Sequence, residues 1–518
     1  MISRSERILP EMGKIESSMW VDEAIWGHRM YDEQTPWLIY LEFLNVFVYE
    51  DSQGRAFDEV NGYNKLEYKA ERRLYLRNIL FNYPIAKLEK IAKDNNRDEE
   101  RWRIWQEEIL DNQQGLIYPC FTYLQEHFET FADFVEIIKI IHSTCLEIES
   151  NKRWTSKFVF PYCKEALFED LDKTAKSNDR RFFGRTGELL YLMFCRSVNK
   201  GKLYKLFKEK LLDQDTIWST IIKCLQPSNE DTPLKKPGGF LPYKSHKAFD
   251  ELTDDWISIL SLKMTGYDLI PHLVRLAGLH MMLYQQQLAR EETGSPSPSY
   301  IISEIVAPKK TLVRELSIES YQDNNTMSLR AVNAFVAKIE NSIEWKSALS
   351  SSAPYAKAKE LLLQKIKWPS KDSDYEGVHE PENLLDSLKQ SVQKRHKQHV
   401  GNIHRVYGRE IGVISKRGTN RLRYAPTDDF LKTLILANVN KRLELSQFLD
   451  VIFKKYGIVV GDKEAEQMIS FDKEDLDKKA FLANTERLEQ RLSSVGLLRR
   501  LSDGCAYILN PYSEKDND

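Results

Sequence analysis

The sequence is poor in the features that mark secreted, membrane-bound or motif-bearing catalytic chains. Only six cysteines occur in 518 residues: Cys120, Cys145, Cys163, Cys195, Cys224 and Cys505. They are scattered and form no C-x-x-C pair, which excludes a zinc ribbon and a disulfide framework and points to buried thiols in a reducing compartment. No segment reaches the ~20 apolar residues that a spanning helix needs. The most apolar run near the start, 37–49, is shorter and carries Glu42. Met1-Ile2-Ser3-Arg4-Ser5-Glu6-Arg7 lacks the apolar core of a secretion signal. The expected setting is the bacterial cytoplasm, away from membrane.

Charge of one sign is also lacking. The net charge is −2, so any electrostatic function must come from local patches. Catalytic signatures are missing too. There is no G-x-x-x-x-G-K-[ST], no H-E-x-x-H and no G-x-S-x-G, and Gly238-Gly239 lacks the strand and helix of a dinucleotide-binding turn. No acidic pair followed by Lys marks a metal-dependent nuclease. The reading is a chain without cofactor, metal or recognisable catalytic residues.

What the chain has is apolar mass in helical rhythm. Apolar residues make up 42%, with 24 Tyr, 23 Phe and 10 Trp, enough for large cores. Thr35-Pro36 signals a helix start, and Trp37, Leu38, Leu41, Phe43 and Leu44 make that helix apolar nearly all round. Phe131, Phe134, Val135, Ile138, Ile141 and Cys145 recur at helical spacing. Arg180, Arg181 and Arg185 precede an apolar helix over 188–198, whose start suits an anion or neighbouring salt bridges. Pro271 begins a long helix bearing His272 and His280, read as core or interface histidines. Loop composition at 227–242 and polar composition at 369–381 divide the chain. The fold class is mainly α, a multi-helical body with a C-terminal α+β winged-helix-like domain. The regions are 1–226 (helical), 243–368 (helical), 369–390 (polar linker) and 391–518 (basic hairpin segment and winged-helix-like domain).

The last region carries the candidate site. Ile411-Gly412-Val413-Ile414 and Leu422-Arg423-Tyr424 flank Lys416-Arg417-Gly418-Thr419 and suggest a hairpin. Helices over 427–438, 443–456 and 481–495 follow, then two short strands around Ser502-Asp503-Gly504. Helix, helix, helix and hairpin is the order of a winged helix. Asn484, Arg487 and Arg491 are read as one outward face of the third helix, with Leu488, Leu492 and Val495 seating it. Arg499 and Arg500 lie on the first wing strand, while Glu486 and Glu489 would repel phosphate. Upstream, Lys394, Arg395, Lys397, Arg405, Arg409, Lys416, Arg417, Arg421 and Arg423 are opposed only by Glu410 between Gln393 and Arg423. Such a patch in a near-neutral chain is the footprint of phosphate binding, and double-stranded DNA is the expected partner. A solvated face or an acidic protein partner is the alternative. His396, His399 and His404 are interleaved with these cations, which oppose a metal reading.

Two segments carry a loose resemblance. Trp20-Val21-Asp22-Glu23-Ala24-Ile25-Trp26-Gly27-His28-Arg29 with Asp32-Glu33-Gln34-Thr35-Pro36-Trp37, and Arg181-Phe182-Phe183-Gly184-Arg185-Thr186-Gly187-Glu188-Leu189-Leu190-Tyr191, resemble uncharacterised proteins encoded in bacterial phage-defence islands. The resemblance covers a few dozen residues and brings no catalytic motif. It implies a subunit of a multi-protein antiviral system that works beside a separately encoded motor ATPase, helicase or nuclease. The expected function is therefore a non-catalytic DNA-binding adaptor. The alternatives are a structural scaffold that uses the winged helix for assembly and an unrecognised effector nuclease.

Overall fold

A computed structural model describes residues 7–12, 16–58, 66–94, 96–143, 163–168, 184–213, 216–228, 236–295, 298–307, 310–369, 371, 374–416, 421–469, 478–501 and 505–513. The fold is mainly helical, with 21 α-helices among the described residues and only short strands.

The body is organised on one long buried helix. Ser17–Trp26 (α1), Pro36–Ser52 (α2), Thr186–Cys195 (α3) and Lys247–Leu260 (α4) precede it, and Gly266–Thr293 (α5) forms its axis. The α5 helix starts where Thr265 accepts a hydrogen bond from the Asp268 amide, and it ends at left-handed Gly294. It therefore begins before Pro271, which lies inside it rather than at its start. Leu269, Leu273, Leu276, Leu279, Met282 and Leu288 are buried around its circumference, as expected of a helix packed on several sides. Leu312–Glu340 (α6), Pro381–Gln398 (α7) and Ile403–Glu410 (α8) complete the body, with α2, α4, α6 and α8 packed on α5. Pro381 occupies the first turn of α7, and Leu384, Leu385 and Leu388 enter the core. The second half of the segment read as a linker is thus structural helix. His272 and His280 are buried as read, bonded to Thr433 Oγ1 (2.7 Å) and Asp255 Oδ2 (2.6 Å).

One apolar core runs from Trp20 to Ile508. A second core, with Trp102, Trp105, Phe131 and Phe134, gathers residues between Leu76 and Leu225. The segment 1–226 is therefore shared between two cores.

The hairpin expected near 414–424 is present, with Ile414–Ser415 (β2) antiparallel to Arg423–Tyr424 (β3). After it come Asp428–Asn438 (α9), Arg442–Glu444 (β4), Leu445–Tyr456 (α10), Ile458–Val459 (β5), Asp462–Ile469 (α11), Lys478–Ser494 (α12), Leu498–Arg500 (β6) and Ala506–Leu509 (β7). Thr427 caps α9 through its side chain, accepting from the Phe430 amide. Strands β4, β7 and β6 form one antiparallel sheet in that order, pairing Leu443 with Ile508 and Arg499 with Tyr507. The β5 strand instead pairs in parallel with Ile301–Ile302 (β1), which joins this unit to the body.

Helices α2 and α3 meet at Gly187, where a Cβ would lie 2.5 Å from the Ile39 carbonyl oxygen and 2.6 Å from Glu42 Cβ. Neither contact can be relieved by turning a flexible side chain. Gly187→Ala is expected to cost about 3 kcal/mol, seen as a lower urea midpoint with an unchanged slope.

Candidate functional site

The nine cations of 394–423 do not share one fate. The inward side of α7 is set by Val392 and His396, which leaves Lys394 and Lys397 exposed. On α8, Ile403 and Tyr407 point in, while Arg405 and Arg409, one turn apart, are exposed. Lys416 and Arg421 flank the hairpin turn and are also exposed. Among the described residues none of these six has a carboxylate within ion-pair distance; Arg405 donates to Asn402 Oδ1 (2.9 Å). Arg395 is half-buried and committed to Glu16 Oε2 (2.8 Å) and Gln398 Oε1 (2.9 Å). Arg417 lies outside the described residues.

Arg423 departs from the expectation. It is 1% exposed and paired with Glu304, which also accepts from Arg314 Nε at 2.8 Å. Its guanidinium turns into the protein, where a buried charge must find an internal partner.

The expected face of α12 is corrected as well. Asn484 is buried; its amide donates to Ser303 O and Val460 O (both 3.0 Å) and accepts from the Ile305 amide (2.8 Å). Arg487 donates to Ile305 O (3.1 Å), and Arg491 to Asp428 Oδ1 (2.5 Å) and Pro426 O (3.0 Å). Asn484 and Leu488 are only ~40° apart on a helix of 100° per residue, so both sit on the seated side. Val495, expected to pack inward, is 44% exposed. Outward lie Leu482, Glu486 and Gln490. Arg499 is exposed, and Arg500 is paired with Glu489.

The three histidines serve three separate networks. His396 links Asp22 Oδ1 (2.8 Å) to Ser328 Oγ (3.1 Å), joining α1, α7 and α6. The Asp–His–Ser order is that of a nucleophile triad, but Asp22, His396 and Ser328 are all buried, and no substrate can reach the hydroxyl as they stand. His399 bonds Asp32 Oδ1 (2.9 Å). His404 bonds Tyr424 Oη (2.6 Å), and burial pushes its pKa down to about 3.

A second polar centre went unread in the sequence. The two segments that carried the resemblance meet in space. Glu42, in the middle of α2, places its carboxylate at the start of α3, where Oε2 accepts from the Gly187 amide (2.7 Å) and Gln34 Nε2 (2.7 Å), and Oε1 accepts from the Arg185 amide (3.0 Å). The anion at this helix start is therefore the protein's own carboxylate. Glu188, one residue on, is also buried; Tyr68 Oη donates to its Oε1 (2.9 Å). Burial, reinforced by the charge of Glu42, pushes the Glu188 pKa up to about 8. Burial also raises Glu42, to about 7, against its N–H donors, and raises Glu23, to about 7, on neighbouring α1. Arg185, held at φ 69°, lies close enough to favour the charged form of all three. The signal in the sequence was a glutamate inside each of two apolar runs, next to Gly184 and Gly187.

Comparison of the chain with protein-family models, curated proteins and solved structures gives no match.

Asn484→Ala strands two carbonyls and an amide in the interior. The expected loss is about 3 kcal/mol of stability in thermal or urea unfolding, with no change in any DNA affinity of the folded protein. A base-reading Asn484 would give the opposite pair of results.

Proposed function

We propose that the chain is a non-catalytic adaptor that engages double-stranded DNA along the ridge formed by Lys394, Lys397, Arg405, Arg409, Lys416 and Arg421, and that it works beside a separately encoded motor ATPase, helicase or nuclease. The observation that supports this reading is six exposed cations on consecutive elements, none in ion-pair contact with a described carboxylate. Cations left unpaired in water are free to exchange their counterions for phosphates. The ridge favours duplex over single strand by its chemistry. Tyr407 is the only Phe, Tyr or Trp between Gln393 and Arg423, and it is buried, so this stretch itself carries no exposed ring on which bases could stack. The partner follows from the resemblance of 20–37 and 181–191 to phage-defence proteins.

The C-terminal unit is read as winged-helix-like from its order of helix, strand, helix, strand, helix, helix, strand, strand, in which β5 pairs with the body, and from its β4–β7–β6 sheet. Its last helix, α12, spends Asn484 and Arg487 on Ser303 and Ile305 of the body and Arg491 on Asp428 and Pro426 at the start of α9, which favours assembly over base reading for this module. DNA contact is thus assigned to the ridge and protein contact to the module.

Combined Arg405→Glu, Arg409→Glu, Lys416→Glu and Arg421→Glu should lower affinity for a duplex at low salt at least tenfold in fluorescence anisotropy. The slope of log affinity against log salt should become shallower by about 0.9 for each phosphate that the variant no longer neutralises. Absence of duplex binding by the unmodified chain at low salt would sink the reading and leave the scaffold role.

A further inference from the structure

The buried pair Glu42 and Glu188 is built asymmetrically. Gln34 is fully buried, and its Oε1 accepts from the Thr186 amide (3.0 Å), which fixes its NH2 group toward Glu42. Glu42 thus receives only N–H donors, from Gln34, Gly187 and Arg185, and an acceptor of three donors is best served by a carboxylate. Glu188 is the reverse case. Its Oε1 takes the Tyr68 hydroxyl, while its buried Oε2 meets no donor in hydrogen-bond geometry, and the nearby Gly239 amide offsets the burial only weakly. A Cβ on Gly239 would sit 3.1 Å from that oxygen. A buried carboxylate oxygen so poorly served is costly, and a proton on it removes the charge.

The surroundings agree with one negative charge rather than two. Facing the pair are Arg185 at the start of α3, Tyr68 from its strand and Tyr407 from α8. Glu23, with His28 and Arg29, and Asp22 lie on or just after α1, and Asp32 faces Tyr407 from the segment that follows. The turn at 238–240 adds no ionisable side chain. Arg185 has no carboxylate in ion-pair contact among the described residues and is shared between Glu23, Glu42 and Glu188.

We propose that Glu42 and Glu188 form a proton-binding site that carries one proton, on Glu188, and that this proton fastens residues 28–42 and the turn at 238–240 onto the start of α3. The Glu188 pKa, raised to about 8 by burial and then by Glu42, sets the window. A carboxyl whose folded pKa is raised contributes stability that is complete below its unfolded pKa, near 4.5, and lost as pH rises through about 8. The junction is therefore tight in mild acid and loosens in mild alkali.

The test is urea unfolding of the full chain between about pH 6 and about pH 9, beside infrared difference spectra of protonated carboxyls over the same range. Unmodified protein should lose stability as pH rises, and a buried-carboxyl band should vanish near pH 8. In Glu188→Gln, which mimics the protonated acid, the part of the band that titrates near pH 8 should be absent and the loss of stability flattened, leaving only what Glu23 and Glu42 contribute near pH 7. Glu42→Gln should be destabilised at every pH, because its NH2 would oppose an N–H donor. A Glu188→Gln profile that parallels the unmodified one, or no carboxyl band in the unmodified protein near pH 6, overturns the proposal. Should Glu188→Gln fail to fold, Tyr68→Phe decides: loss of the hydroxyl that Glu188 accepts should move the last component of the band to higher pH, and an unmoved band overturns the proposal.

Discussion

A carboxylate shut away from water must take all its hydrogen bonds from the protein, and Glu42 takes three from two different parts of the chain. Two come from backbone amides at the start of α3, so the demand fixes where that helix begins as well as where it lies. The helix can approach closely enough only because position 187 has no side chain, and the Ile39 carbonyl and the Glu42 stem fill the space instead. Gln34 then ties the approach to α2 into the same set of bonds through the Thr186 amide. With α2 and α3 fixed against each other, their apolar faces converge: Phe43 packs against Tyr191, Phe194, Phe207 and Trp256. The largest core of the protein is thus arranged around a charge that a purely apolar packing scheme would have excluded.

The same rule sorts the arginines. Arg423 and Arg487 reach a carboxylate and a carbonyl of the body and help to tie the C-terminal unit to it, while Arg491 bonds Asp428 and Pro426 at the start of α9. Arg405, Arg409 and Arg421 meet no such carboxylates among the described residues and remain in water. Within the basic stretch, side-chain direction therefore separates a buried, paired cation from exposed ones. In β3, Arg423 and Tyr424 are both buried because the strand lies against α6 as well as in the hairpin, so even strict alternation would not have identified the inward cation.

Much of the architecture was legible because it depends on local periodicity. The helix at Phe131–Ser143, a hairpin between 411–414 and 422–424 and the helices α9, α10 and α12 follow from patterns within a few turns of chain, whereas β4, β5 and α11 did not show in them. What escaped depends on partners far away in sequence. Asn484 looked like a surface polar residue because its acceptors, 24 and 181 positions distant, leave no trace in its own helix. His396 looked like part of a basic cluster, although its partner Asp22 is 374 residues upstream. Glu42 and Glu188 were visible as charges inside apolar runs, and that contradiction between charge and context was the one local hint of the centre they form.

The arrangement of charge also constrains how the ridge can work. The net charge of −2 gives no long-range pull on a polyanion, and fields from exposed groups are screened within about 8 Å at physiological salt. Attraction to a duplex is then confined to contact distance, and its strength falls steeply with salt. On the reading proposed above, a short-range set of six cations would hold DNA that something else has brought near, as an adaptor does and a searching protein does not. The outer face of α12 reinforces the point. Glu486 is exposed there, and Glu489 is already neutralised by Arg500, so this face offers no attraction to phosphate. Under the proposed reading, DNA on α7, α8 and the hairpin would leave that face open to a protein, and the two contacts would not compete.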